Sequence, residues 1–195
     1  MDFKIKKLDN VKFSFKELEA YYHEIKRNYQ KLKWTPPGEM SSQAYSWAIQ
    51  TKLQDPTQPC GPYHWPGEDT STFNNRYDTP TELIFGFGEK IISVFPEVKQ
   101  TNITVHSPGT IIEFHIDKEL ELEDHFKIHF PIETNEDSVF QYEDEEFHLE
   151  AGSAYLVNTG ILHGTNNRGI TERAHLIFKI PASKVSEILN TAYEI

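Results

Sequence analysis

The chain has 195 residues, enough for one sizeable core, and its 37 % hydrophobic and 13 % aromatic content buries enough apolar surface to exclude a disordered chain. Thirty acidic against nineteen basic residues give a net charge of -11, which repels a phosphate backbone and, with no basic patch in the sequence, argues against a nucleic-acid partner. The single Cys60 excludes an internal disulfide, residues 1–7 lack the apolar core of a secretory signal, and no apolar run approaches the roughly 20 residues of a membrane span, so the expectation is a cytoplasmic protein with no membrane partner.

Ser14 and Glu17 have capping-box spacing, and Leu18, Tyr21, Tyr22, Ile25, Tyr29 and Leu32 then recur at helical spacing, which predicts a helix over 15–33. Pro36, Pro37 and Gly38 end it. The stretch to Asp78, rich in Pro, Gly, Asn, Gln and Trp, reads as loop; within it, Cys60 through Gly67 suits either a packed loop or an aromatic substrate lid. Thr79 with Glu82 repeats the capping box, Pro80 suits the first helical position, and Leu83, Phe87, Ile91 and Val94 predict a second helix ending before Pro96. From residue 101 the texture changes to short β-rich segments at 101–106, 111–117, 126–133, 138–142, 146–149, 153–158 and 172–180, the spacing of a β-sandwich or barrel. The acidic runs Glu119–Asp124 and Glu143–Glu146 read as solvated turns, and a last helix over 183–193 would be capped by Ser183. One domain is expected: a helical and loop support segment over 1–97, a β core over 98–181 and a C-terminal helix over 182–195.

Between Thr110 and Asp117 the side chains of a regular strand alternate, placing Ile112, Phe114 and Ile116 on one face and Glu113, His115 and Asp117 on the other. His115 and Asp117 would lie roughly 6.6 Å apart along the strand, a span that two side chains can close around a metal. From Gly152, a glycine turn, a strand and a second turn deliver His163 beside Asn166 and Asn167. Two histidines and one carboxylate that leave three octahedral positions open form the facial triad of non-haem iron(II) oxygenases. Of those positions, 2-oxoglutarate can take two and dioxygen one. Arg173 lies on a strand whose other face is Ala174, Leu176 and Phe178, so its guanidinium points inward, and its planar fork matches a carboxylate such as the distal one of 2-oxoglutarate. His106, His125, His148 and His175 read as hydrogen-bonded or solvent-facing residues on or near strands.

Ser107-Pro108-Gly109-Thr110 leading into His115-x-Asp117, the segment Lys127–Asn135, the segment Phe147–Gly152, and His163 through Asn167 to Arg173-Ala174-His175-Leu176 form an ordered set. Over about residues 101–180 this set resembles the 2-oxoglutarate/iron(II) oxygenase superfamily, and within it the aspartyl/asparaginyl β-hydroxylase-like branch. The resemblance implies a mainly β fold, a double-stranded β-helix (jelly roll) with supporting N-terminal helices. It implies a dioxygenase that uses Fe(II), 2-oxoglutarate and O2 to hydroxylate an unactivated carbon of an amino acid or an Asp-, Asn- or Pro-type residue, in a small-molecule or peptide substrate, with succinate and CO2 as co-products. By the same resemblance His115, Asp117 and His163 are the iron ligands and Arg173 holds the far carboxylate. Branch members carry Arg-x-His where this chain has Lys127-Ile128-His129, so Lys127 and His129 are co-substrate candidates, Lys127 supplying a cation without the fork. Two rival readings are a metal-free jelly-roll binding module and a cupin-type metalloenzyme. The second cupin motif, G-x5-P-x-G-x2-H-x3-N, is nearly matched from Gly152 to Asn167 with Asn158 in place of proline, but the first needs His-x-His with a later glutamate, and this chain has His115 and Asp117.

Overall fold

A computed structural model describes residues 3–29, 32–33, 44–51, 77–95, 97–117 and 125–195, of which 32, 33 and 125 are described by backbone alone. In chain order the first half contributes strands Ile5–Lys7 (β1) and Val11–Lys12 (β2), helix Phe15–Asn28 (α1), strands Leu32–Lys33 (β3), Ala44–Ala48 (β4), Gln50–Thr51 (β5) and Thr79–Pro80 (β6), and helix Gly86–Val94 (α2). The second half contributes Lys99–His106 (β7), Ile111–His115 (β8), His125–Glu133 (β9), Ser138–Tyr142 (β10), Glu145–Phe147 (β11), Tyr155–Val157 (β12), His163–Asn167 (β13), Arg173–Pro181 (β14), a 3-10 turn at Ala182–Lys184, helix Val185–Asn190 (α3) and Tyr193–Glu194 (β15). A major sheet runs β1-β12-β9-β14-β7-β4-β3 and a minor sheet β11-β10-β13-β8, with antiparallel neighbours throughout both. Together they give the two facing sheets expected of a jelly roll.

Alternation along β9 and β14 sorts the major sheet into a greasy outer face and a polar inner one. Ile128, Phe130 and Ile132, with Ala174, Leu176, Phe178 and Ile180, are almost fully buried and belong to the main core together with Leu18, Tyr22 and Ile25 of α1 and Phe87 and Ile91 of α2. Each large side chain buried there contributes about 1.5–3 kcal/mol. Phe13 and Phe87 both meet Phe130 edge-on, at 5.0 and 6.2 Å, which seats α1 and α2 on the sheet. Between the sheets, Phe140, Tyr142, Leu149, Tyr155 and Val157 fill one end with a second apolar cluster. The rest of the inner face surrounds a cavity.

Tertiary pairing overrides the local signals at three places. Ser14 caps α1 as expected, its Oγ accepting from the Glu17 N–H at 3.3 Å, but the helix ends at Asn28 instead of 33. Leu32 and Lys33 pair instead with Ser46 and Tyr45, and Trp47 Nε1 donates to the Tyr29 carbonyl. The stretch expected to be loop thus supplies β4, a buried strand of the major sheet. Thr79 and Pro80 do not start a helix: they pair with Thr51 and Gln50, Thr81 Oγ1 donates to the Ala48 carbonyl at 2.7 Å, and α2 begins only at Gly86 with no side-chain cap. At the C-terminus Ser183 lies in the 3-10 turn and caps nothing, α3 is short, and Tyr193–Glu194 pairs in parallel with Val11–Lys12. Beyond the expected strands, His163–Asn167 forms β13.

Glu143–Glu146 is an exposed turn and strand start, tied by Lys4 to Asp144 and Glu145 and by Arg168 to Glu146. Cys60–Gly67 and Glu119–Asp124 lie outside the described residues. Among the described residues no helix is long and apolar enough to cross a membrane.

Candidate active site

The inner faces of β7, β9 and β14 in the major sheet, with β8, β10 and β13 above them, line the cavity. His163, at the start of β13, pairs directly with His115 at the end of β8. The next pair down is Thr165 with Ile112, so one residue of β13 opposes two of β8, Glu113 and Phe114. This β-bulge changes the expected faces. Ile112 and His115, three apart, both line the cavity, whereas Phe114 and Ile116 are exposed with Glu113 instead of forming an apolar face with Ile112. Gly164 permits it: a Cβ there would stand 2.7 Å from the Ile112 carbonyl oxygen. Asp117 follows just beyond β8, held by its N–H donating to the Thr159 carbonyl at 3.1 Å.

The three expected ligands converge: His115, Asp117 and His163 offer atoms that all lie within 4.8 Å of one another. Each histidine fixes its own tautomer. His115 Nδ1–H donates to the Glu113 carbonyl at 2.7 Å and His163 Nδ1–H to the Ile161 carbonyl at 2.9 Å, so both Nε2 lone pairs face Asp117, at 3.5 and 3.9 Å. Phe140 stacks on the His163 ring with centroids 5.3 Å apart. Burial alone would raise the Asp117 carboxyl, but Lys127, His115 and Lys179 hold it well below the usual carboxylate range. Burial pushes His163 down to about 4; His115 is raised, because its protonated ring would donate from Nε2 to Asp117 when no metal is bound. Two oriented imidazole lone pairs and an ionised carboxylate are the donor set that a divalent first-row metal takes, so the residues fit iron(II).

Arg173 is inward and buried, as expected, but its partners are histidines. Its Nη2 donates to His175 Nδ1 at 2.9 Å and its Nη1 approaches His106 Nδ1 at 3.4 Å. No carboxylate among the described residues pairs with it, and burial pulls its guanidinium down to about 9. Since His175 Nδ1 accepts from Arg173, the proton in its 3.3 Å contact with His129 Nδ1 belongs to His129. His129 therefore presents a bare Nε2, buried and without a hydrogen-bond partner among the described residues. Burial and the Arg173 charge hold His106, His129 and His175 well below their usual range, so this whole nest is neutral apart from the guanidinium.

Lys127 lines the cavity with its ammonium 2.5 Å from Asp117. His148 stands outside the cavity, its Nδ1 3.2 Å from the Ser138 carbonyl. Of His125 only the backbone, at the start of β9, is described. The histidines read as incidental divide: His106 lines the cavity, and His106 and His175 both contact Arg173. Lys179, Gln100 and Asn102 also line the cavity. Only the alternation that carries Arg173 inward could have signalled Lys179.

A family model described as Aspartyl/Asparaginyl beta-hydroxylase matches the chain over residues 65–182, more than half of its length. The chain belongs to the aspartyl/asparaginyl β-hydroxylase family. As a member it is an enzyme, a hydroxylase of the 2-oxoglutarate-dependent oxygenase type. No curated protein matches it. Among solved structures it is similar to a viral collagen prolyl hydroxylase from Paramecium Bursaria Chlorella virus-1, solved as a 2OG complex, at 10 % identity over 91 % of this chain and 95 % of that one, with a TM-score of 0.52. A Pseudomonas putida prolyl-4-hydroxylase gives 11 % identity, 91 % and 92 % coverage and a TM-score of 0.52. A 2OG-Fe(II) oxygenase family oxidoreductase from Burkholderia pseudomallei gives 11 %, 83 % and 76 %, and 0.51. At these identities the likeness establishes the double-stranded β-helix of the family.

Proposed function

We propose that this family member hydroxylates an unactivated carbon of a small-molecule or peptide substrate, using iron(II) held by His115, Asp117 and His163 and 2-oxoglutarate held by Arg173, Lys127 and His129. The observation that carries the reading is the pairing of a preset triad with a buried guanidinium whose partners among the described residues are neutral histidines. Burying a lone cation is costly unless something compensates it, and an anionic ligand does so. Iron(II) with 2-oxoglutarate and O2 supplies the oxidation that turns C–H into C–OH while the keto acid leaves as succinate and CO2.

The chain's own residues do the rest. Arg173, oriented by His175 and His106, takes the far carboxylate in its fork. Lys127 and His129 line the wall between Arg173 and the triad, where the near end of the co-substrate would lie. Ile112, Phe140 and Ile177 give that passage apolar walls that keep water from the reacting centre. His115, Asp117 and His163 would hold the metal, and the protein's further contribution is to orient the C–H bond.

Anaerobic titration of the iron(II)-loaded protein with 2-oxoglutarate tests this reading. Chelation by the keto acid gives a weak visible charge-transfer band, which a cupin site or a metal-free binding module would not produce. A protein that binds iron yet develops no band at millimolar 2-oxoglutarate would sink the proposal.

A further inference from the structure

β4, which lies in a stretch that reads as loop in the sequence, alternates as β9 and β14 do. Tyr45 and Trp47, with Ile49 just beyond, belong to the main core on the outer face, so Ala44, Ser46 and Ala48 turn to the inner one. All three inner residues are small and buried, and Ser46, 1 % exposed, lines the cavity. Its Oγ has no hydrogen-bond partner among the described residues. An unpaired buried hydroxyl is a cost to the fold, which a ligand that accepts its hydrogen removes. The hydroxyl directly across on β7 is already engaged, since Thr104 Oγ1 donates to Asn102 Oδ1 at 2.7 Å.

The register sets Ser46 near the buried guanidinium. Ser46 pairs with Thr104 and Thr104 with His175, while Ala44 pairs with His106 and His106 with Arg173. Two rows thus run across β4, β7 and β14. The fork of Arg173 touches both, through Nη2 on His175 at 2.9 Å and Nη1 on His106 at 3.4 Å. The second contact carries the fork toward β7, and β4 is the next strand, about 4.8 Å further on. There the two rows offer only a methyl group and a hydroxyl, Ala44 and Ser46, which leaves room beside the fork and one hydrogen to give.

We infer that Ser46 is a co-substrate contact: its hydroxyl donates to the far carboxylate of 2-oxoglutarate while Arg173 holds that group in its fork. A carboxylate accepts at about four lone-pair positions and a guanidinium fork fills two, so a donor from β4 adds to the fork without competing with it. The inference rests on the oxygenase reading and gives the first half of the chain a part in the site.

The test is the anaerobic iron(II) complex of the full chain titrated with 2-oxoglutarate and read by its visible band, for the parent, Ser46→Ala and Ser46→Thr, with urea unfolding of the metal-free proteins beside it. Ser46→Ala should raise the 2-oxoglutarate constant about tenfold or more, the loss of one hydrogen bond to a charged acceptor, and Ser46→Thr, which keeps the hydroxyl, should fall between. The urea midpoint of Ser46→Ala should equal or exceed the parent's, because without the ligand the hydroxyl has no acceptor. 2-Oxovalerate has the same chelating end with a methyl group in place of the far carboxylate, and it should bind parent and Ser46→Ala within about threefold of each other. An unchanged 2-oxoglutarate constant in Ser46→Ala, a lowered urea midpoint alongside the loss, or an equal loss for 2-oxovalerate would each overturn the inference. If 2-oxovalerate gives no band with either protein, the 2-oxoglutarate and urea readings decide. A parent protein that forms no band with 2-oxoglutarate sinks the oxygenase reading; a parent that forms it, matched by Ser46→Ala, sinks only this inference.

Discussion

Arg173 gives its hydrogen bond to His175, two residues further along the same face of β14, at 2.9 Å. A neutral imidazole orients the guanidinium without cancelling its charge, which leaves the cation set for an anion. A buried ion pair that loses one member typically costs about 2–5 kcal/mol, so Arg173→Ala should raise the 2-oxoglutarate constant by more than about thirtyfold. Arg173→Lys should recover part of the loss, because it restores charge without the fork. Succinate release against 2-oxoglutarate at saturating iron measures all three proteins; an unchanged constant in Arg173→Ala would mean that the far carboxylate is held elsewhere.

His175 itself should act through Arg173. A hydrogen bond to a charged group is worth about 1.5–3 kcal/mol, so His175→Phe should raise the 2-oxoglutarate constant about tenfold or more while iron affinity stays put. His175→Asn, whose Oδ1 can accept the same hydrogen, should restore much of it. If Asn and Phe behave alike, the imidazole is only filling space.

Alanine at His115, Asp117 or His163 should abolish hydroxylation and lower iron affinity while leaving a folded chain, since none of the three belongs to the main core. Asp117→Ala should also lower the thermal midpoint more than His115→Ala, because it removes the carboxylate 2.5 Å from the Lys127 ammonium. Iron titration with circular dichroism separates the two effects. Full turnover in any one variant would remove that residue from the triad.

Gly164→Ala sets a methyl against the Ile112 carbonyl oxygen, which must move. The expected cost is about 1–3 kcal/mol, with a loss of iron affinity because His163 is the preceding residue and pairs with His115. Urea unfolding reads the first effect and metal titration the second; a variant that matches the parent in both would show that the bulge does not depend on the bare glycine.

Acid should destabilise the fold early. His106, His129 and His175 are neutral when buried and take up protons on unfolding once the pH is below 6.5, the value of the free side chain. The unfolded state then binds more protons, so stability is complete above that pH and falls as the pH drops, by about 1.4 kcal/mol per pH unit for each histidine. Urea midpoints of the metal-free protein between pH 5 and 8 should show this slope, and His175→Asn should flatten it by about a third. A midpoint independent of pH over that range would contradict the neutral nest.

The β core was legible because strand periodicity is local: β9 and β14 alternate over nine residues each, and their outer faces are the apolar sets that the sequence shows. The triad was legible as residue types in order. The first hundred residues were less so, because Ala44–Ala48 carries an aromatic, β-prone sequence inside a stretch rich in turn residues, and its partners β3 and β7 are known only once the sheet closes. The same closure explains why Thr79 and Pro80 became a strand in spite of a capping-box signal. Within the site, alternation pointed Arg173 inward, but Lys179 went unread, because a cation near a strand end has no local mark of burial. Nor do His106 and His175, whose roles come from meeting Arg173 across β7 and β14.

The bulge in β8 has a consequence for insertions and deletions. His115 shares a face with Ile112 at a spacing of three only because the intervening pair Glu113 and Phe114 is squeezed against one residue of β13. Delete either of that pair and the histidine stands two beyond Ile112, still inward in an ordinary strand and still able to reach His163. Shortening the chain there should thus be gentler on the metal ligands than adding one methyl group at Gly164.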